Sequence, residues 1–226
     1  VGKLDLDGEP MDMFWNGGLV YVAVLSDDEK TGGIQIVDVS DWPALTLVSV
    51  TDLGDNADTV VVSGNLALVG TARSGMHILD VSDPTAVRPI SALTCRGPIT
   101  GVFSEGDVAY VTAETELLIL DVSDPAFPIE IGALNMPRNP VEVLVSKGLA
   151  YVGDNKAGMA VIDVSDPKSP VLLLDYGAGE NESSRMFASD GLVYIADSRQ
   201  EVLGIIDLSE PKMPVLIGSL DTPEFV

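Results

Sequence analysis

Five polar residues stand at matching points along the chain: Asp12, Thr59, Thr100, Glu142 and Arg185. Each lies four residues before Asn16, Ser63, Ser104, Ser146 or Ser189. The two-residue period of a strand puts each on the same face as its reference residue. The position is polar in every copy, but its identity changes. The five can form a ligand-binding ring, with Glu142 and Arg185 on neighbouring repeats, or they can simply be solvated. Glu142 and Asp12 are also candidates for acid and base, a role that requires a defined separation between paired carboxylates.

A second set of carboxylates is uniform. The strings IVDVSDWP, ILDVSDPT, ILDVSDPA, VIDVSDPK and IIDLSEPK place Asp38, Asp80, Asp121, Asp163 and Asp207 at separations of 42, 41, 42 and 44 residues. A fixed period of this size means one supersecondary unit repeated. These aspartates read either as a carboxylate ring or as side chains satisfied by the hydroxyl and N–H groups of their own turn, as buried polar groups must be. Their uniformity argues for the second reading. The Asp-Pro step then ends the strand, because proline cannot donate to the ladder.

The string explains part of the charge. The chain has 35 acidic against 12 basic residues, a formal net charge of −23. Ten acids belong to the string, and removing them leaves 25 against 12. Such a surface repels phosphate backbones, which argues against nucleic-acid partners. The remaining excess reads as cation binding, a basic partner, or solubility. Residues 5–9 (Asp-Leu-Asp-Gly-Glu) superficially resemble a calcium loop, but the glycine is too early for EF-hand spacing and flanking helices are absent. No cofactor is expected.

Other chemistry is sparse. Cys95 is the single cysteine, so no disulfide can form within the chain; beside Arg96 it reads as a reactive thiol or as an incidental loop residue. His77 is the single histidine, and the other copies have Gln35, Leu118, Ala160 and Gly204 in its place. No phosphate-binding glycine loop or Gly-x-Ser-x-Gly elbow is present. No apolar run reaches membrane-helix length, so no membrane insertion is expected in this segment. No signal peptide is visible in a chain that opens on Val1.

One repeat reads as four short strands, for example residues 140–146, 149–153, 159–164 and 171–174, separated by Gly, Asn, Asp and Pro punctuation. Four antiparallel strands per ~42 residues is the pattern of an all-β propeller built of four-stranded blades. The segments IQIVDVSDWP, LLILDVSDPAFPIEIGAL and MAVIDVSDPKSPVLLLDY, preceded by SGNLALVG or SKGLAYVG, resemble the LVIVD repeat of secreted and cell-surface β-propellers. The resemblance covers about the whole chain. It implies a propeller and an extracellular or cell-surface location, and it implies no reaction. Departures are modest: Trp42 for the first proline, Glu210 for the second aspartate, and residues 85–87 (Thr-Ala-Val) where other copies carry a second proline.

In a propeller the first strand lines the channel, which places Asp12, Thr59, Thr100, Glu142 and Arg185 at its mouth. The loops 25–33, 52–58 and 177–184 would share that rim, where binding functions concentrate. Residues 1–5 resemble 217–221, the fourth strand of the last copy, and 223–226 aligns with 140–143 and 10–13. Residues 1–226 are therefore expected to form a single array of five repeats, either cut from a ring of six to eight blades or closed as a five-bladed ring with an overlapping seam. The expected function is a noncatalytic module of a secreted or cell-surface protein, used for recognition, adhesion or scaffolding toward a protein or glycan ligand. Two alternatives remain: a carbohydrate-active hydrolase or lyase with carboxylates at the channel mouth, and a structural spacer without a ligand.

Overall fold

The computed structural model describes residues 2–26, 32–137, 139–154, 158–177, 183–189, 191–197, 202–207 and 215–221. Among the described residues there are twenty strands and no helix. The first sheet contains β1 (Glu9–Asn16), β2 (Leu19–Leu25), β3 (Gly33–Asp38) and β4 (Thr46–Asp52). The second contains β5 (Ala57–Ser63), β6 (Leu66–Thr71), β7 (Met76–Asp80) and β8 (Arg88–Leu93). The third contains β9 (Ile99–Glu105), β10 (Val108–Ala113), β11 (Glu116–Asp121) and β12 (Ile129–Asn135). The fourth contains β13 (Pro140–Ser146), β14 (Leu149–Asp154), β15 (Gly158–Asp163) and β16 (Val171–Gly177). The fifth contains β17 (Ser183–Ser189), β18 (Leu192–Asp197), β19 (Val202–Asp207) and β20 (Val215–Asp221). In each sheet the strands follow one another in chain order, the four-stranded antiparallel blade expected of a propeller.

Cα packing divides the chain into two compact units, Val1–Glu114 with Leu120–Ile129, and Thr115–Ile119 with Glu130–Val226. In the first unit, Tyr21, Ala23, Ile34 and Ile36 of the first sheet pack against Val60, Val62, Val69 and Leu79 of the second, all buried. Each such aliphatic side chain stabilises the fold by roughly 1.5–3 kcal/mol. On β1, Met13 and Trp15 are exposed, whereas their register counterparts Val60 and Val62 on β5 are covered by the first sheet. In the second unit, Tyr151, Met159 and Val161 of the fourth sheet meet Met186, Val193 and Ile206 of the fifth. Gly153 leaves room there for Met186, whose Sδ would lie 3.2 Å from an added Cβ.

The repeated string is the joint of each blade. Asp38 Oδ1 accepts the Ser40 N–H at 2.8 Å and its hydroxyl at 2.6 Å. Asp163 does the same with Ser165, at 3.0 and 2.6 Å, and Asp80 and Asp121 accept the N–H of Ser82 and Ser123, each at 2.9 Å. The string's valine N–H then bonds the turn between the first two strands: Val39 to Gly18, Val81 to Asn65, Val122 to Asp107 and Val164 to Gly148. One step on, Asp83, Asp124 and Asp166 accept the N–H of Thr85, Ala126 and Lys168. In the fifth copy, residues 208–214, which follow Asp207, lie outside the described residues.

The proline that follows has a second task. Its carbonyl receives the outer strand of the preceding sheet: Ser49 donates its hydroxyl to Pro84 O at 2.7 Å, and Ser91 donates to Pro125 O at 2.6 Å. Gly132 crosses Pro167 O at the same point, so closely that a Cβ has no room. Gly2 meets Pro43 O in the same manner, which fits the likeness of residues 1–5 to an outer strand. Residues 223–226 lie outside the described set.

The inner strands carry a β-bulge, and it corrects the alignment of the third copy. The extra residue is Met11 on β1, Asp58 on β5, Val141 on β13 and Ser184 on β17. On β9 it is Thr100, because Ile99 pairs with Ala113 and Gly101 with Thr112. The residue at the level of Asp12 is therefore Gly101, and the position is not polar in every copy. The turn of this sheet is made by Gly106 (φ 61°), as Gly17 and Gly64 (both φ 58°) make the first two. That left-handed glycine, rather than Ser104, marks the register of this copy.

Candidate functional site

Asp12, half-buried on β1, is fully engaged. Its Oδ1 accepts the Met13 N–H at 2.9 Å, and its Oδ2 accepts the Thr59 hydroxyl at 2.9 Å and the Val60 N–H at 3.0 Å. Glu142 on β13 repeats the last bond, with Oε2 accepting the Met186 N–H at 2.6 Å. Val60 and Met186 occupy the same register level of β5 and β17. The inner strand of each sheet has a neighbour on one side only, so some of its N–H groups face away from any ladder. A carboxylate from the preceding sheet fills that deficit and ties two sheets together.

Thr59 is buried at 5% exposure and donates into this contact. Thr100 turns back into its own sheet, 3.0 Å from Thr112 Oγ1. Arg185 lies on β17 opposite Ala196, and its side chain is outside the described residues. The structure thus brings Asp12 and Thr59 together. Glu142 belongs to the other unit.

The loop 52–58 holds a denser polar cluster that the repeat pattern concealed. Asp55 is 3% exposed. Its Oδ2 accepts the N–H groups of Arg73 and Ser74 at 2.7 Å each and the Ser74 hydroxyl at 2.8 Å, while Oδ1 accepts the Asn56 N–H at 2.9 Å. Burial alone would raise the Asp55 carboxyl, but these bonds, the Ser74 hydroxyl foremost, outweigh it and hold the group below its ordinary value. His77 Nε2 lies 3.1 Å from Ser74 Oγ. Burial lowers the His77 pKa against a smaller opposing pull from Asp55. With its proton on Asp55, Ser74 accepts from Nε2–H of the neutral ring. The serine therefore sits between acid and imidazole, whereas a nucleophilic triad needs the imidazole in the middle. Asn56 extends the cluster by accepting the Ser26 N–H at 3.2 Å, so the loop between sheets and the loop after β2 meet on one rim.

Asp58 is the strained member. Burial and then the charge of Asp55 raise its pKa. A carboxyl whose folded pKa is raised opposes folding while ionised, and the penalty disappears as pH falls through the folded value. Asp58→Asn is therefore expected to raise the melting temperature at pH 7, by roughly 2–4 °C per kcal/mol relieved. The gain should shrink when unfolding is followed at progressively lower pH. The string aspartates have the opposite sign. Asp38, Asp80 and Asp83 are held low by the hydroxyl and N–H of Ser40, Ser82 and Thr85. Their contribution is present above the unfolded carboxylate pKa and is lost as pH falls through the folded one.

Among the described residues no group of three or more His, Cys, Asp or Glu side chains converges as a metal site. Asp5, part of the calcium-like segment, pairs with Lys3 at 2.8 Å on the surface. Cys95 is half-buried, with Sγ 3.7 Å from Leu93 O. No helix among the described residues is long and apolar enough to cross a membrane.

Comparison with solved structures places the fold among propeller-like proteins. A protein from Lactobacillus plantarum superposes with a TM-score of 0.85 at 14% identity, over 97% of this chain and 73% of that one. A protein of unknown function from Desulfotomaculum acetoxidans gives 0.79 at 12% identity, over 97% and 72%. The periplasmic gluconolactonase of Pseudomonas aeruginosa gives 0.78 at 10% identity, over 94% and 70%. At such identities the likeness is one of fold. No curated protein matches the sequence. The LVIVD repeat matches residues 7–52, 54–91, 99–136, 137–177 and 182–222. Those five matches coincide with the five sheets and with the joints built on Asp38, Asp80, Asp121, Asp163 and Asp207, and the chain belongs to the LVIVD-repeat family.

Proposed function

We propose that the protein is a noncatalytic β-propeller module of a secreted or cell-surface protein, serving as a recognition or interaction platform. The observation that carries this reading is the engagement of the inner-strand carboxylates. Asp12 and Glu142 accept backbone N–H groups of the neighbouring sheet, which supports a structural role for them rather than a catalytic one. The Asp55 cluster likewise has its serine between acid and histidine. The rim loops, in contrast, differ from sheet to sheet on a constant scaffold, which is where binding specificity resides. The secreted location is the one the family resemblance implies.

The rival is a carbohydrate-active hydrolase or lyase with carboxylates at the channel mouth, and the gluconolactonase neighbour adds lactone hydrolysis to it. Incubating the protein with panels of sugar lactones and aryl glycosides should give no turnover above buffer. Turnover that is abolished in Glu142→Gln or Asp12→Asn, with the melting temperature unchanged, would overturn the noncatalytic reading.

A further inference from the structure

A cleft of about 310 Å³ opens in the first unit at the end of the first sheet. Its lining includes Asp7, Gly8, Val24, Gln35, Val50 and Asp52. Gln35 is 1% exposed, and its amide is fixed by the backbone of Asp7, donating from Nε2 to the carbonyl at 2.6 Å and accepting its N–H at 3.4 Å. That pairing leaves one N–H and one lone pair of the amide for another partner.

The repeats show what ordinarily fills this place. In the second sheet, Asp55 stands where the first has Gly8, each eight residues before the end of the inner strand, and His77 stands where the first has Gln35. Asp55, Ser74 and His77 there close the space with their own hydrogen bonds. In the fourth sheet the same level, Val152, Ala160 and Asp175 with Met136 and Pro137, encloses only about 10 Å³. In the first sheet Gly8 supplies no side chain, and its φ of +104° together with the adjacent Leu25 carbonyl excludes one.

We infer that this cleft is a binding site for one neutral sugar residue of a glycan. Its volume lies at the lower end of the range of about 300–1,000 Å³ for small-molecule sites. Val50, 53% exposed, offers an apolar contact for the C–H face of a pyranose, and Gln35 and the carboxylates of Asp7 and Asp52 offer partners for its hydroxyls. Asp52 Oδ1 accepts the Gly54 N–H at 2.8 Å, which sets the carboxylate's orientation. Two exposed carboxylates disfavour anionic ligands. The inference rests on the recognition reading above and gives it a ligand class.

The test titrates the protein with glucose, galactose, mannose, N-acetylglucosamine and fucose, followed by saturation-transfer NMR and calorimetry. At least one should bind saturably with a dissociation constant on the order of 1 mM, the range open to a dozen-atom ligand. Val50→Trp, a plug placed at a position 53% exposed, should weaken that binding at least tenfold. Asp52→Ala, which removes an acceptor carboxylate from the lining, should weaken it severalfold. No saturable binding by any of the five, or binding unchanged in both variants, overturns the inference. If the protein attaches to a cell surface or immobilised glycoprotein equally well with and without Val50→Trp, the recognition reading stands and this cleft is not its site.

Discussion

Asp12→Ala is expected to lower the melting temperature substantially. The substitution strips the Val60 N–H and the Thr59 hydroxyl of their acceptor, and both residues are buried. Bonds to a charged acceptor are worth more than neutral ones, and an orphaned buried donor adds its desolvation cost, together about 2–3 kcal/mol. For a chain of this size that is a fall of roughly 4–12 °C. Glu142→Ala removes the equivalent bond to Met186 N in the other unit and should act in the same direction. Thermal unfolding by circular dichroism reads both. If these residues existed to hold a ligand, the variants would melt at the wild-type temperature.

Asp55→Ala should cost at least as much, about 3–4 kcal/mol, because four donors converge on that one buried carboxylate. Loss of the acceptor frees the Arg73 and Ser74 N–H groups and leaves His77 bonded to a serine without its own acceptor on Asp55. Asp55→Asn should recover part of the loss, since one oxygen still accepts. The pH dependence follows from the depressed pKa of Asp55. Its contribution is fully present above the unfolded carboxylate value, about 3.9, and is lost as pH falls through the folded one. The wild type and Asp55→Ala should therefore converge in stability toward acid pH. A difference between them that is constant from pH 7 down to pH 2 would mean that the charge of Asp55 is not what stabilises the loop.

The fold was legible because the residues that specify it are local and repeated. Asp38 and Ser40 lie two positions apart, and the proline that ends the strand follows within the same turn, so the joint can be read from one copy and checked against the others. The Val and Ile of the third strand, among them Ile34, Ile36, Ile78 and Ile119, are buried as their uniformity suggests. The third copy is the exception: Ser104 resembles the residue that opens the turn, while the backbone turns at Gly106. The residue at the level of Asp12 is accordingly Gly101 rather than Thr100, which is the bulge residue.

The candidate site was less legible because its partners are far apart in sequence. Asp12 and Val60 are separated by 48 residues, and Glu142 and Met186 by 44, close to the repeat length but joining different register levels. Polarity at the inner-strand position could be seen; the bond from a carboxylate to the next sheet's backbone could not. Asp55, Ser74 and His77 break the repeat rather than follow it. The signal lies in the segment 71–77, which is longer than the two-residue turn at 114–115 of the third copy, but no other copy repeats His77. The cleft of the first sheet was hidden for the complementary reason, since it depends on what Gly8 lacks.

The most direct measurement of the central claim, that the polar inner-strand residues bind sheet to sheet rather than substrate, is a double-mutant cycle. Unfolding free energies of wild type, Asp12→Ala, Thr59→Val and the double variant give the coupling between the two side chains. The Asp12–Thr59 bond at 2.9 Å predicts a coupling of at least about 1 kcal/mol, with the double variant less destabilised than the sum of the singles. Additivity within about 0.3 kcal/mol, the behaviour of independent sites, would contradict it.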